Sequence, residues 1–431
     1  MATRNKHKTL TKPNLILIAT LLVTAPLSGC VMLDEASSED LQDGELVIVT
    51  YDVLALSEDM ISGFEESSGL TVTMLKLDDA GSILDYLIQN RGNTNVDLAI
   101  GLDNTYLQTA IEFDLLEELD LDKSGMSAPG SSLARSSMDP LEPYDGPLAV
   151  PYDMGYICLN YDTEAVDGEN LSVPTSLEDL TGPEWRGKVA LPSPVSSSPG
   201  RGFMLASLDY FDWQSDDGLK FSDWWSSMAA NDVVITSGWT EAYETHYTGG
   251  YGEWTEGYIG DAHITVSYCH SPGVESYYNG NWTKSAALDI PKTSFFQVEY
   301  ASAVSGGNAL YAQKFIEYLI SPEVNSMMPY ENLMYSVLDG LDLPEEDGYR
   351  SNSQIPAAPA SIPMEDIDDH MEAWLDQWNS AVTSGGSVEG NTRIDRRPDV
   401  PVAGDGPRRP GPSQDNLGHR LHARGLDPIS L

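Results

Sequence analysis

Basic side chains are scarce in this 431-residue chain: 23 lysines and arginines face 67 aspartates and glutamates, a formal net charge of -44. Such a balance repels polyanions, so neither nucleic acid nor an anionic membrane surface is an expected partner. Cysteine is scarcer still, at three residues, and the seven histidines are scattered, so no closely spaced set suggests a zinc site. Long apolar runs are missing too. The run Leu15 to Val23 is too short to span a bilayer and stop there. Catalytic signatures are absent, with no Gly-x-Ser-x-Gly elbow, His-Glu-x-x-His pair or Walker loop. No catalytic residue, metal or cofactor is therefore assigned. A glycosidase-like carboxylate pair could be drawn anywhere among 67 acids, which makes it uninformative, and an exported hydrolase stays a weaker reading.

What is present is a chain that can fold. Apolar residues make up 41% and charged ones 21%, enough to bury a core. The charge is unevenly placed: residues 1–29 hold Arg4, Lys6, Lys8 and Lys12 and no acid, while residues 30–391 hold 12 basic against 62 acidic side chains. An acid excess spread through every segment reads as a solvated surface adapted to high salt, the mark of a halophile. The basic start, the short apolar run and Leu27-Ser28-Gly29-Cys30 resemble a lipoprotein signal, with residues 1–29 removed and Cys30 lipidated. Residues 30–44 then form an acidic tether, and the protein is expected outside the cytoplasmic membrane, at the cell surface or in the periplasm, held there by the lipid. At the other end, residues 386–431 are rich in Arg, Pro and Gly without apolar period and are expected to be disordered. Cys158 and Cys269 both sit in apolar, strand-like runs, where a disulfide and two buried thiols are equally compatible with the sequence.

Between these ends, short apolar strands alternate with amphipathic helices. Strands are expected at Leu46–Tyr51, Val72–Leu77 and Asp97–Gly101, with a Ser57-capped helix stopping before Gly69 and another at Ile83–Gln89. This βαβαβ order predicts a mostly parallel, helix-covered sheet. Further strands are expected at Gly155–Tyr161, Lys188–Leu191, Val233–Thr236 and Ile264–Tyr268. Helices follow from Tyr311 to Ile320 and from Met371 to Val382, whereas Ser276–Trp282, with Gly280 and two asparagines, reads as a loop. Trp239-Thr240-Glu241-Ala242-Tyr243 is echoed fifteen residues on as Trp254-Thr255-Glu256-Gly257-Tyr258, a local insertion rather than a repeat fold.

A set of ordered blocks carries a family resemblance. Thr50-Tyr51-Asp52, Leu77-Asp78-Asp79, Asp97 to Asn104, Val150 to Tyr156, Ser196 to Gly200, Gly238 to Tyr243, Val266-Ser267-Tyr268 with Ser271-Pro272, and Asn332 to Tyr335 together resemble the thiamine-binding proteins of ABC importers across residues 45–382. The resemblance implies an α/β, two-lobed periplasmic-binding-protein fold (type II) with a hinge of two crossover strands. Lobe 1 would take residues 45–155 and 270–385, and lobe 2 residues 156–269, with the crossings near Gly155–Tyr161 and Ile264–Tyr268. The partners implied are an ABC permease with its ATPase subunits, and the protein would be a monomer.

The implied ligand is thiamine, thiamine monophosphate or thiamine diphosphate. Its cationic thiazolium and flat aminopyrimidine call for aromatic faces and a carboxylate. Tyr51, Trp239 and Tyr268 match family positions that supply the faces, Asp79 would offset the charge, and Ser197 would donate to the hydroxyl or a phosphate. Taken alone, Tyr51 and Tyr268 read equally as core or rim aromatics, and Asp79 as a helix cap. Two positions depart from the family: Leu333 stands where relatives carry a stacking Trp, and Val274 where they carry a Tyr. Tyr277, Tyr278 or Tyr335 could compensate, and Trp254, close to Trp239 in sequence, is a second candidate for the stacking tryptophan. Adjacent Tyr277-Tyr278 also resembles the paired tyrosinates of ferric-ion binding proteins, which makes iron, or another small solute, the alternative cargo.

Overall fold

A computed structural model of the chain describes residues 44–121, 146–215, 219–338 and 340–385. The signal, Cys30, nearly all of the tether and the Arg/Pro/Gly-rich tail lie outside the described residues. The first part of the chain forms β1 (Glu45–Tyr51), α1 (Glu58–Ser68), β2 (Thr71–Leu77), α2 (Ala80–Gln89), β3 (Leu98–Asp103) and α3 (Leu107–Glu112). Then come β4 (Val150–Asp162), β5 (Val189–Pro192), α4 (Ser198–Tyr210), α5 (Leu219–Ala230), β6 (Val234–Thr236) and β7 (Ile264–Tyr268). The remainder holds α6 (Ser271–Tyr278), β8 (Ser285–Ala287), β9 (Phe295–Ala303), α7 (Ala309–Leu319), α8 (Pro322–Asn325), α9 (Met328–Glu331), β10 (Tyr335–Ser336) and α10 (Met364–Gly385).

Local signals fix many of these boundaries. Ser57 caps α1 by accepting from the Met60 N–H (3.2 Å), and Gly69 ends it at φ 76°, a left-handed conformation that costs glycine little. Strands run in the order β2-β1-β3-β9-β4-β7-β5-β6, with β8 and β10 both paired to β4. β2, β1 and β3 are parallel, as are β7, β5 and β6. Antiparallel β9 and β4 lie between these two groups.

Those two strands make the structure two-lobed. Ala301 of β9 and Val150 of β4 are buried with Ile48, Leu98 and Phe315 in the first lobe, whereas Phe295 and Ile157 are buried with Val189, Phe203 and Ile264 in the second. Each therefore passes from one core to the other. The first expected crossing lies within β4. The return crossing is β9 rather than Ile264–Tyr268, because Ile264 and Val266 of β7 stay inside the second core. Residues 270–385 also divide between the lobes. Val274, Tyr277 and Tyr335 pack with first-lobe residues such as Ile83 and Val298, but Trp374 and Trp378 of α10 pack on α5 in the second core. Ser226 Oγ donates to the Ala381 carbonyl (3.0 Å), and the backbone contact at Gly385 leaves no room for a side chain.

Cys158 and Cys269 are joined in a buried disulfide that ties β4 to the residue after β7 and encloses a sequence separation of 111. Ser276–Tyr278, expected in a loop, instead complete α6, whose Pro272 sits at the first turn where its missing N–H costs nothing.

Candidate functional site

The carboxyl ends of β1 and β2 meet the start of α4 across a cavity of about 430 Å³. Ends of parallel strands are where open α/β sheets collect ligands, because helix starts and short loops converge there. Tyr51 ends β1, and its ring fits because Gly101, at φ 104°, carries no Cβ; one would stand 2.3 Å from the ring. The Tyr51 hydroxyl donates to Glu299 Oε2 (2.8 Å) and accepts from Asn332 Nδ2 (2.8 Å).

Asp79 caps α2 by accepting from the Ala80 N–H (2.8 Å) and also reaches the Ser198 N–H at the start of α4 (3.4 Å). Burial nonetheless pushes its carboxyl up to about 6. Two helix starts from different lobes thus converge on one acid. The lobes meet again where the Gly81 N–H donates to the Ser196 carbonyl (3.3 Å) and where buried Arg201 lies 3.6 Å over the Tyr106 ring.

An aromatic wall faces these acids. Trp239 stacks on Tyr243 at 5.0 Å and 15°, with its Nε1–H donating to Ser267 Oγ (2.8 Å). Tyr243 is held from behind by its hydroxyl bond to Glu275, which also accepts from Thr283 and Ser285 (2.6 and 2.9 Å). Tyr251 meets the edge of Tyr243, and Tyr268, its hydroxyl accepting from Gln297 Nε2 (3.1 Å), lies 5.4 Å from the His270 ring. His270 donates from Nε2 to the carbonyl of Leu333, which holds a left-handed φ of 60°. Burial lowers that imidazole to about 4, so it is neutral.

The cavity is lined by five carboxylates, Asp52, Asp78, Asp79, Glu244 and Glu299, and by no lysine or arginine among the described residues. Burial first, then the charge of Asp52, pushes Glu244 up to about 7. An apolar, aromatic enclosure with acids and no base favours a flat organic cation, by ring-face attraction and by the field of the acids.

Of the residues expected from sequence, Tyr51, Asp79, Trp239, Tyr268 and Trp254 all line this cavity, so both copies of the Trp-Thr-Glu echo reach it. Ser197 does not. It is wholly buried beside Asp79 at the α4 cap position, and Ser198 and Pro199 present the surface instead. Tyr277 is also withdrawn, packed among Tyr278, Tyr330 and Tyr349 at 5.2 to 5.8 Å, as is Tyr335, buried edge-on against His270. Tyr278 reaches the cavity, where Leu333 and Val274 also stand. With Tyr277 turned into the core, the two adjacent tyrosines do not converge on one ion.

Sequence reasoning missed Tyr243, Glu244, Tyr251, His270 and Glu299 as site residues. Tyr243 was legible as the i+4 neighbour of Trp239, and Glu299 as a lone acid inside the apolar run Phe295–Ala303.

The model of the family described as bacterial extracellular solute-binding protein matches residues 59–333. Among curated relatives, the thiamine-binding periplasmic protein of Salmonella typhimurium is 26% identical over 345 residues, covering 78% of this chain and 93% of the relative. A solved periplasmic thiamin binding protein superposes with a TM-score of 0.62 over 78% of this chain and 96% of its own, at 24% identity. Iron-bound HitA from Pseudomonas aeruginosa shares the fold, with a TM-score of 0.57 over 78% of this chain and 99% of its own, at 14% identity. The family match takes in β2 to β9, with strands of both lobes and both crossings, and the chain belongs to the bacterial extracellular solute-binding proteins.

Proposed function

We propose that this protein captures thiamine outside the cytoplasmic membrane and delivers it to an ABC permease and its ATPase subunits, acting as a monomeric carrier rather than an enzyme. The observation that carries this reading is the pairing of the Trp239–Tyr243 stack with five carboxylates and no basic lining residue. Thiamine is a flat, permanently cationic molecule of the size such a cavity holds. The phosphate esters fit less well, since Asp52, Asp78 and Glu244 oppose added negative charge and Asp79 already accepts from the Ser198 N–H at the start of α4. Closure around ligand would come from the lobes, because Asp79 and Tyr51 belong to the first and Trp239 to the stretch within the second.

Calorimetric titration of the protein, in molar salt to match its acid excess, tests this with thiamine, its mono- and diphosphate, spermidine and Fe(III). Thiamine should bind most tightly. Tighter binding of Fe(III) with a visible charge-transfer band would replace the reading with the ferric one, and tighter binding of spermidine with a polyamine one. Retention near the permease is assigned to lipidated Cys30, which confines the carrier while leaving its lobes free. Cys30→Ser should move the protein into the soluble fraction with ligand affinity intact.

A further inference from the structure

Three carboxyl side chains form a row across the hinge. Glu299 of β9 stands opposite Asp103 of β3 on one side and opposite Asp153 of β4 on the other, at a bulge between Pro151 and Asp153. All three are buried. Glu299 Oε2 accepts from the hydroxyls of Tyr51 and Tyr152 (each 2.8 Å), and Oε1 accepts from Gln297 Nε2 (2.8 Å). Asp153 Oδ2 accepts from Asn332 Nδ2 (2.6 Å). The two carboxyls are direct cross-strand neighbours, and Asp153 Oδ1 is buried with no hydrogen-bond partner, so the pair is built to hold a proton in place of a second charge.

Among the described residues, nothing basic faces this pair. The surrounding elements contribute Tyr51 from β1, Asp103 from β3, Tyr152 from β4, Tyr268 from β7 and Asn332 after α9. Arg201 of α4 faces Asp103, and Asp79 and Glu244 line the same cavity as Glu299. Two buried carboxylates on adjoining strand positions cannot both be ionised without a cation to balance them. The empty site meets that need with a proton. Glu299 alone of the pair opens onto the cavity, so a bound cation can meet it there.

We propose that Glu299 is the principal counter-ion for the ligand and that capture is an exchange, in which the cation enters beside Glu299 as the proton held by the Glu299–Asp153 pair leaves to solvent. The charge of the hinge is then the same before and after loading, one positive charge having replaced another. Burial supports this by pushing Glu299 up to about 7 and Asp153 well above the usual carboxylate range. The exchange rests on the cargo being a cation, as in the thiamine reading. It adds that uptake weakens as the surroundings acidify, because protons compete for the same two carboxyls.

The test is calorimetry of the full chain with thiamine between pH 5.5 and 8, in two buffers of different ionisation enthalpy, alongside infrared spectra of the empty and saturated protein. About one proton should be released per thiamine bound near neutral pH, with Kd rising up to tenfold per pH unit below pH 7. A protonated-carboxyl band, identified by its loss in Glu299→Gln or Asp153→Asn, should disappear on saturation. Binding with no proton release, or a band that persists when thiamine is bound, overturns the exchange. If the band is present in the empty protein but thiamine does not bind, the thiamine reading fails. If no such band is present at pH 6, the acid pair itself is refuted whatever binds.

Discussion

Two groups of aromatic side chains, both containing tryptophan, are built to opposite ends. In the second lobe Trp213, Trp224, Trp225, Trp374 and Trp378 meet edge to face at 4.9 to 5.8 Å. Two of their indole nitrogens are satisfied inside the protein, Trp224 on the Leu177 carbonyl (2.7 Å) and Trp225 on Ser207 Oγ (3.2 Å). At the cavity Trp239 is also anchored through its nitrogen, yet it is covered on one face by Tyr243 and lines open space. Trp254 goes further, at 52% exposed. The difference teaches that an aromatic ring serves stability when its edges and both faces are claimed by the chain, and recognition when one face is left for something else.

The comparison is broken most severely in the core. Trp378→Ala, which empties the seam between α10 and α5, should cost about 3–5 kcal/mol of stability. Thermal denaturation should show the loss, while thiamine affinity measured well below the new Tm stays within a factor of two or so of the original. At the cavity the effects should reverse. Trp239→Ala should remove about 1–2 kcal/mol of affinity if the cation lies over that ring. Its Tm without ligand should fall far less than that of Trp378→Ala. Equal affinity in the Trp239 variant would move the stacking role to Trp254.

A smaller effect separates the regions by pH. Glu244 and Glu299 are pushed up to about 7, and Asp52 and Asp79 to about 6, all chiefly by burial. Groups raised in this way stabilise the fold fully below their unfolded value near 4, and that contribution is lost as pH rises through about 6 to 7. The Tm of the empty protein should therefore decline from pH 4.5 to 7.5, and less steeply in Glu244→Gln. Saturating thiamine should offset the decline. A Tm that climbs over this range would show that the cavity acids are not held protonated.

The first lobe was legible because short apolar runs alternate with amphipathic helices there: Leu46–Tyr51, near-continuously apolar, and Val72–Leu77, each bounded by turn residues, could be little else than strands. β9 was not recognised, since Gln297 and Glu299 interrupt its pattern and only the buried hinge explains them. The two later helices were visible by period, but periodicity names a face without naming what it packs against, so α10 was placed in the wrong lobe. At the candidate site, Tyr51, Asp79, Trp239 and Tyr268, which line the cavity, were singled out through ordered family blocks. Ser197 lay in the right block and one residue off the surface, a distinction set by the pitch of α4 and not by residue type. Tyr277 and Tyr335 belonged to aromatic-rich stretches whose inward turn depends on the tertiary packing of α6 and β10.

The placement of α10 bears on how the chain assembles. Its tryptophans complete a core whose other members begin far upstream at Ile157. Contacts of such long sequence separation form late, since the intervening chain must first be gathered. The second lobe is therefore left without one wall until the last described helix is available. For a chain made from its N-terminus, this delays closure of the second core until nearly all of the described residues have been synthesised.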